Sequence, residues 1–577
     1  MNRALLALLL CLATSGPALA QSNQPYIAYE SIHHPVQGRY GMVVSQNHFA
    51  SWVGRKILQE GGNAVDAAVA MGFALAVTLP RAGNLGGSGF MLVHLAGEGK
   101  TIALDYRSVA PKAATEAVYR DGDGDVDWDA LTVGARASAV PGTVAGLFEA
   151  WQRFGSLPWK QLLQPAYDLA AKGFNVSHDL NYALSEGGPV LAKFPASAAI
   201  YIRPDGYAWQ TGQKLVQLDL AWSIGQIMES GAEAFYKGEL AKRIAAAFAA
   251  DGGLIRMADL AAYEVKEREP VATDYRAYRV VSMPLVSAGG VTLIQMLNML
   301  EQFPVGESGA GSAKNLHLLA EVMKRAAANR RTHLGDPDFM KVPVEGYISK
   351  ALGKKMAGDI DLEKAADVSK IDPEPVHQYE SRDTTHFSVM DAEGNAVSNT
   401  YTLGYSFGSG WVAAGTGILF DNQMRNYSFR DDETHPNALA PGKRVLSTMT
   451  PTIVLDEAGK VYLVTGTPGG SQIINVVLQI LVNVIDHGMG IAEATHQPRI
   501  HQGWRVQRLG VEPGISPDTL RILESMGHEV AVERAMGSTQ SIQWRDGRFY
   551  GAADPRRPNA TALGLVFPPQ AKLRQAE

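Results

Sequence analysis

Residues 383–426 read DTTHFSVMDAEGNAVSNTYTLGYSFGSGWVAAGTGILFDNQMRN. Two short stretches alternate here: Phe387 and Val389 are answered by Val397 and Tyr401 across Asp391-Ala392-Glu393-Gly394-Asn395. Period-two alternation around a glycine-containing loop predicts a β-hairpin. Its first strand opens on Thr384-Thr385, residues of high strand propensity. A cut before Thr384 would give that residue both a hydroxyl and a free α-amine. An α-amine titrates near ~8, so it can act as base for the hydroxyl, a known way of activating a threonine nucleophile. On spacing alone, a plain strand threonine is the better reading.

Outward from the hairpin, strand character continues over 384–390, 396–403, 452–455, 461–466 and 539–549, with turns at 456–460 and at Asp546-Gly547. A helix apolar nearly all round, 471–484, follows the fourth of these and predicts a segment buried between layers. The first two thirds alternate helical patterns with Gly/Pro punctuation, as over 162–172, 239–250 and 313–330. Residues 64–79 form the most apolar stretch past the leader. They contain Asp66 and are too short to span a bilayer, so they predict a buried helix. The run DGDGDVD (121–127) lacks the turn glycine and closing glutamate of a calcium loop and reads as a solvated acidic turn. No internal repeat and no long linker divides the chain, which predicts one globular unit.

Residues 1–20, MNRALLALLLCLATSGPALA, carry one basic residue, an apolar run and Ala18-Leu19-Ala20 before Gln21. That is the pattern of a secretory signal peptide and predicts a periplasmic or secreted protein. The single cysteine, Cys11, lies within it, so the mature chain has no disulfide and no thiol chemistry. A net charge of −6 and the lack of a basic run argue against nucleic acid and anionic membranes as partners.

The hairpin block resembles the small-subunit start of the γ-glutamyltranspeptidase family, a branch of the N-terminal nucleophile hydrolases. The likeness extends to residues 41–91, LDYRSVAP (104–111), VPGTVAGL (140–147), KRVLSTMTPTIV (443–454), LVTGTPGGSQII (463–474) and MGSTQSI (536–542). It implies an α/β fold, the four-layer αββα sandwich. It implies a precursor that cuts itself between Asp383 and Thr384 into a large subunit, 21–383, and a small one, 384–577, which stay together as a heterodimer. Thr384 is then the nucleophile, and Thr402 the threonine that hydrogen-bonds it. Gly469 and Gly470 supply oxyanion-hole amides at a helix start, where N–H groups are free. Arg107 clasps the substrate carboxylate with its planar fork, beside the hydroxyls of Ser447 and Thr448. His386 matches a position near the nucleophile and orients the strand rather than titrating. No cofactor is implied, and the histidines show no metal spacing. The glycine run 83–89 reads as tight packing behind the site.

The chain departs from the family where the α-ammonium of a γ-glutamyl group is held. Gln423 is retained, but Gly404 stands where an asparagine is usual and Asn426 where an aspartate is usual. A lost charge-assisted hydrogen bond costs about 1.5–3 kcal/mol, roughly one to two decades of affinity. Asn426→Asp and Gly404→Asn are the substitutions that would restore the usual pocket. The segment 427–445 is also shorter than the lid-bearing loop of many relatives, which favours water over an amino-acid acceptor. Three readings follow: an autoprocessed γ-glutamyltransferase/glutathione hydrolase; a glutaryl acylase of the same mechanism; and a catalytically silent binding protein. Retention of the nucleophile argues against the last. An α/β-hydrolase is disfavoured by the lack of a GxSxG elbow.

Overall fold

The structure, a computed structural model, describes residues 32–368, 371, 383–429, 435–504 and 507–570, the side chains of 331 and 332 excepted. The predicted leader, 1–20, and the middle of the shortened lid, 430–434, lie outside the described residues.

Strands β1 (Val36–Gly38), β2 (Gly41–Ser45), β3 (Ser88–Leu95), β4 (Lys100–Tyr106), β5 (Lys266–Arg268), β6 (Val271–Tyr275) and β7 (Tyr278–Ser282) precede the hairpin. The hairpin is β8 (Asp383–Asp391) and β9 (Ala396–Gly404). After it come β10 (Thr452–Leu455), β11 (Val461–Thr465), β12 (Gln540–Arg545), β13 (Arg548–Ala553) and β14 (Thr561–Gly564). They form two seven-stranded sheets, ordered β14-β2-β8-β9-β3-β4-β5 and β1-β13-β12-β11-β10-β7-β6. In both sheets, strands from before the hairpin alternate with later ones.

Period two decides which side chain faces what. Val43, Phe387, Val389 and Val397 lie in the core shared with helices α1 (His48–Gln59), α2 (Ala64–Thr78), α3 (Thr143–Phe154) and α4 (Trp159–Lys172). Met42, Val44, Phe90 and Leu92 meet Ile453, Val464 and Ile542 in a second core between the sheets. A third core joins the other sheet to helices α5 (Ala288–Leu300), α6 (Ala313–His333) and α7 (Gln472–Ile485). Helix, sheet, sheet, helix is the four-layer αββα sandwich.

The hairpin register pairs Val389 with Val397 and Thr385 with Tyr401. Phe387 stands opposite Asn399 and reaches Tyr401 diagonally, ring edge to face. The predicted strand 539–549 is the hairpin β12–β13, turning at Asp546-Gly547. One expectation is corrected: strand character does not wait for residue 381. The central strands β3 and β4 lie far earlier. SGFMLVHL is buried along almost its whole length on both faces, so it shows an apolar run instead of alternation.

Helix α2 is buried at all 15 positions, so each N–H of its first turn needs an acceptor. The Asn63 side chain takes the N–H groups of Val65 and Asp66, and Asp66 returns a bond to the Asn63 N–H. The Ala64 N–H goes to Asp391 Oδ2 at 2.9 Å, from the turn of the catalytic hairpin. Asp391 also accepts from the Glu393 and Asn395 N–H groups, closing that turn. Burial pushes its carboxyl upward. Asp391→Ala would leave a buried N–H without a partner, at a cost of about 1–3 kcal/mol. In the uncleaved Thr384→Ala background the urea midpoint should fall at unchanged slope, and Asp391→Asn, which keeps one acceptor, should lower it less.

Candidate active site

Thr384, His386 and Ser388 share the face of β8 that looks toward the second sheet, as do Ser398, Thr400 and Thr402 on β9. This part of the inter-sheet layer is polar, and its hydrogen bonds define it. Ser388 donates to the Gln540 carbonyl at 2.7 Å, so its oxygen can only accept from His386 Nε2, 3.1 Å away. His386 Nδ1 then accepts from Thr400, at 2.8 Å. Burial drives this imidazole down to about 3. It is a neutral spacer with a fixed tautomer.

At the end of the strand the Thr402 hydroxyl has three partners. The Gly404 N–H donates to it at 2.9 Å, and the Asp383 carbonyl lies 2.9 Å away. An N–H only donates and a carbonyl only accepts, so the single Thr402 proton points at the Asp383 oxygen. Thr384 Oγ1, 3.2 Å from Thr402 Oγ1, must therefore donate to it. The hydroxyl's one donor and two acceptor sites are all in use. The backbone is irregular here: the β8–β9 register shifts between Asp383 and Thr385.

From Thr402 the contacts run on. Its cross-strand partner on β3 is Ser88, whose Oγ accepts from Arg107 Nη1 at 3.2 Å. Arg107, just past β4, is buried, with Nε on the Val445 carbonyl at 3.1 Å and Nη2 on Gln423 Oε1 at 2.6 Å. Burial pulls its guanidinium down to about 10. Asn426 Nδ2 donates to the same Gln423 oxygen at 2.8 Å. Two residues beyond Val445, Ser447 accepts from the Met449 N–H. The Thr448 hydroxyl donates to the Gly470 carbonyl at 2.8 Å, so of this pair Ser447 keeps its proton for a ligand. Gly466, against the His386 ring, leads into the turn Thr467–Ser471, which opens α7. Gly469 and Gly470 are buried with φ of 135° and 57°, backbone open to glycine. Among the described residues neither N–H has an acceptor. Every residue singled out from the sequence thus lies on one contiguous chain of contacts.

The geometry revises the ammonium pocket. Gly404 has a φ of 95°, and a Cβ there would collide with Asn422 Oδ1. That oxygen is held by the Tyr405 N–H, and Asn422 Nδ2 by the Thr132 carbonyl. Gly404→Asn is thus not accommodated, and that restoration is withdrawn. Gln423 Oε1 already takes two donors. Arg425, which sequence reading passed over, is buried with its guanidinium 3.8 Å above the Tyr405 ring. Asp421, also missed, is fully buried on Ser108 and the Ala139 N–H, and desolvation pushes it up to about 7. Elsewhere the fold gathers His317, Glu321 and His528 without any sequence spacing to announce them. Lys324 and Arg325 already neutralise that Glu321, and the cluster reads as structural.

Among the described residues no helix is long and apolar enough to cross a membrane. The protein family described as Gamma-glutamyltranspeptidase matches residues 50–564. The chain is 47% identical to the glutathione hydrolase proenzyme of Escherichia coli (strain K12), over 95% of this chain and 96% of that one. It is 39% identical to the Acylase ACY 1 proenzyme of Pseudomonas sp. (strain SE83), over 90% and 92% respectively. The crystal structure of cephalosporin acylase from Bacillus halodurans superposes with a TM-score of 0.83 at 29% identity, covering 94% of this chain and 98% of that one. Sequence, fold and comparisons agree: the chain belongs to the gamma-glutamyltranspeptidase family.

Proposed function

We propose that the protein is an exported, autoprocessed γ-glutamyltransferase/glutathione hydrolase that works through a Thr384 acyl-enzyme. The observation that carries this is the three-way hydrogen bonding of Thr402. In the precursor, Thr384 Oγ attacks the Asp383 carbonyl carbon. The new C–O bond forms as the Asp383–Thr384 C–N bond breaks, and the hydroxyl proton ends on the released amine. Thr402 lies between donor and acceptor, taking the Thr384 O–H while its own proton polarises the carbonyl under attack. Water then hydrolyses the ester, restoring the Thr384 hydroxyl and giving Asp383 a terminal carboxylate. The products are a large subunit, 21–383, and a small one, 384–577, which remain associated.

In the mature enzyme the Thr384 amine is the base. Its hydroxyl attacks the substrate amide, and the Gly469 and Gly470 amides receive the oxyanion, each worth a few kcal/mol in such sites. Arg107 and Ser447 hold the carboxylate of the acyl group, while Thr448 fixes the oxyanion turn through Gly470. The acyl group then passes to water or to an amino acid. A silent binder would have no use for this arrangement. The leader-like residues 1–20 support export to the periplasm or medium.

A second reading, an acylase for glutaryl-type groups, is favoured by a specific observation. The turn Gln423–Asn426 carries no carboxylate, its one retained acceptor is engaged by Arg107 and Asn426, and Arg425 adds a cation beside it. An α-ammonium finds poor company there; an acyl chain without an amine loses nothing.

Purified protein should run as two fragments, the smaller beginning Thr-Thr-His-Phe, and Thr384→Ala should remain one chain. A wild-type preparation without that new N-terminus ends the mechanism. Arg107→Lys keeps the charge but loses the fork; kcat/KM should fall by about 10–200-fold, for a charge-assisted bond of roughly 1.5–3 kcal/mol, while self-cleavage persists. An unchanged kcat/KM would remove Arg107 from the substrate site. Asn426→Asp supplies an acceptor for an α-ammonium and should shift the ratio of γ-glutamyl to glutaryl kcat/KM by about tenfold toward γ-glutamyl, equivalent to about 1.4 kcal/mol. A panel of the two anilides reads this directly, and an unmoved ratio would place Asn426 away from the amine.

A further inference from the structure

The residue before the scissile bond is itself gripped. Asp383 Oδ1 lies 2.5 Å from Arg81 Nη2 and 3.9 Å from Arg557 Nη2. The other arm of Arg81 holds Asp179 at 3.2 Å. Arg81 and Asp179 are buried, and Arg557 is about a third exposed, at 31%. The clasp is assembled from three remote parts of the chain: the loop after α2, the start of a helix at His178–Leu191, and the turn before β14. Arg81 is further fixed by its own carbonyl, which accepts the Phe407 N–H at 3.0 Å.

The acyl shift consumes only the Asp383 carbonyl, so on that ground any side chain at 383 would serve. Two physical effects make this carboxylate matter. It is anchored at the point where the β8 backbone departs from regular pairing, so holding it fixes where the carbonyl oxygen lies relative to Thr402. It is also an anion one residue from a carbonyl on which negative charge develops as Thr384 attacks. An uncompensated anion there opposes the reaction, and in a partly desolvated site the opposition is strong. Two guanidiniums against two carboxylates bring the cluster to neutrality.

Resting on the reading that the chain cuts itself before Thr384, we propose that Arg81 and Arg557 are positioning residues for self-cleavage, a carboxylate clamp that holds and neutralises Asp383. They act through Asp383 and need not touch the substrate of the mature enzyme.

The test is the first-order conversion of freshly synthesised full-length precursor into two fragments, followed by gel or intact mass. Arg81→Gln should slow conversion by about tenfold, the effect of losing one tenfold step in barrier. Arg557→Gln, whose partner is farther away, should slow it about threefold on the same scale. Arg81→Lys, which keeps the charge, should fall between Arg81→Gln and wild type. The decisive variant is the double Arg81→Gln/Asp383→Asn. With the exposed carboxylate gone it should convert at least about fivefold faster than Arg81→Gln alone, at the rate of Asp383→Asn. A merely structural Arg81 gives no such rescue. Equal rates for Arg81→Gln and the double overturn the clamp, as does a wild-type rate for Arg81→Gln. Should Arg81→Gln fail to fold, as judged by gel filtration, the same comparison with Arg557→Gln and its Asp383→Asn double decides in the same way. Wild-type protein that is never cut at 383/384 instead refutes the underlying reading and leaves the clamp without a reaction.

Discussion

A hydroxyl group has one proton and room for two more, and at Thr402 all three places are taken. A backbone N–H that cannot accept and a carbonyl that cannot donate fix the direction of both other bonds. The Thr384 proton is thereby aimed away from the carbonyl that its oxygen would attack, and the carbonyl is already polarised. The surrounding structure serves this constraint. The β8–β9 pairing sets the distance between the threonines. The β9–β3 pairing sets Ser88, and through it Arg107, relative to them. The second sheet brings its glycine turn alongside by packing Gly466 on a histidine that burial keeps neutral.

Much of this was legible in the sequence. The hairpin around Asp391–Asn395 shows plain alternation because one face packs on helices and the other lies between sheets. The buried helices at 64–78 and 472–485 announce themselves by length and lack of charge, with the exception of Asp66, whose role as a capping partner explains its presence there. The nucleophile, its threonine partner, the glycine turn and Arg107 were reached through family motifs, and they do meet. The strands β3 and β4 were missed because a strand covered on both faces loses the polar half of its pattern.

What sequence could not supply is chiefly electrostatic and conformational. Arg81, Asp179 and Arg557 are ordinary charged residues in separate segments, and only the fold brings them to Asp383. Arg425 and Asp421 carry no motif, yet both lose water near the acyl pocket. Gly404 was noticed as a departure, but its left-handed backbone was invisible in one dimension. A position whose φ is 95° is not a vacancy awaiting a side chain. The chain's departures from its relatives are therefore linked, since a pocket without the asparagine also carries Asn426 and Arg425.

The order of strands has a further consequence for how the molecule lives after processing. Early strands β2 and β3 pair with β8 and β9, and β7 pairs with β10, so pieces produced by a cut before Thr384 share both sheets. Before such a cut, folding is unimolecular and its equilibrium is indifferent to dilution. After it, unfolding releases two chains that must find each other again, so stability acquires a concentration dependence. Neither piece then owns a complete sheet to hide its strand edges while alone. Survival of the mature form becomes a matter of how slowly it opens, a kinetic property inherited from a precursor that could fold as one.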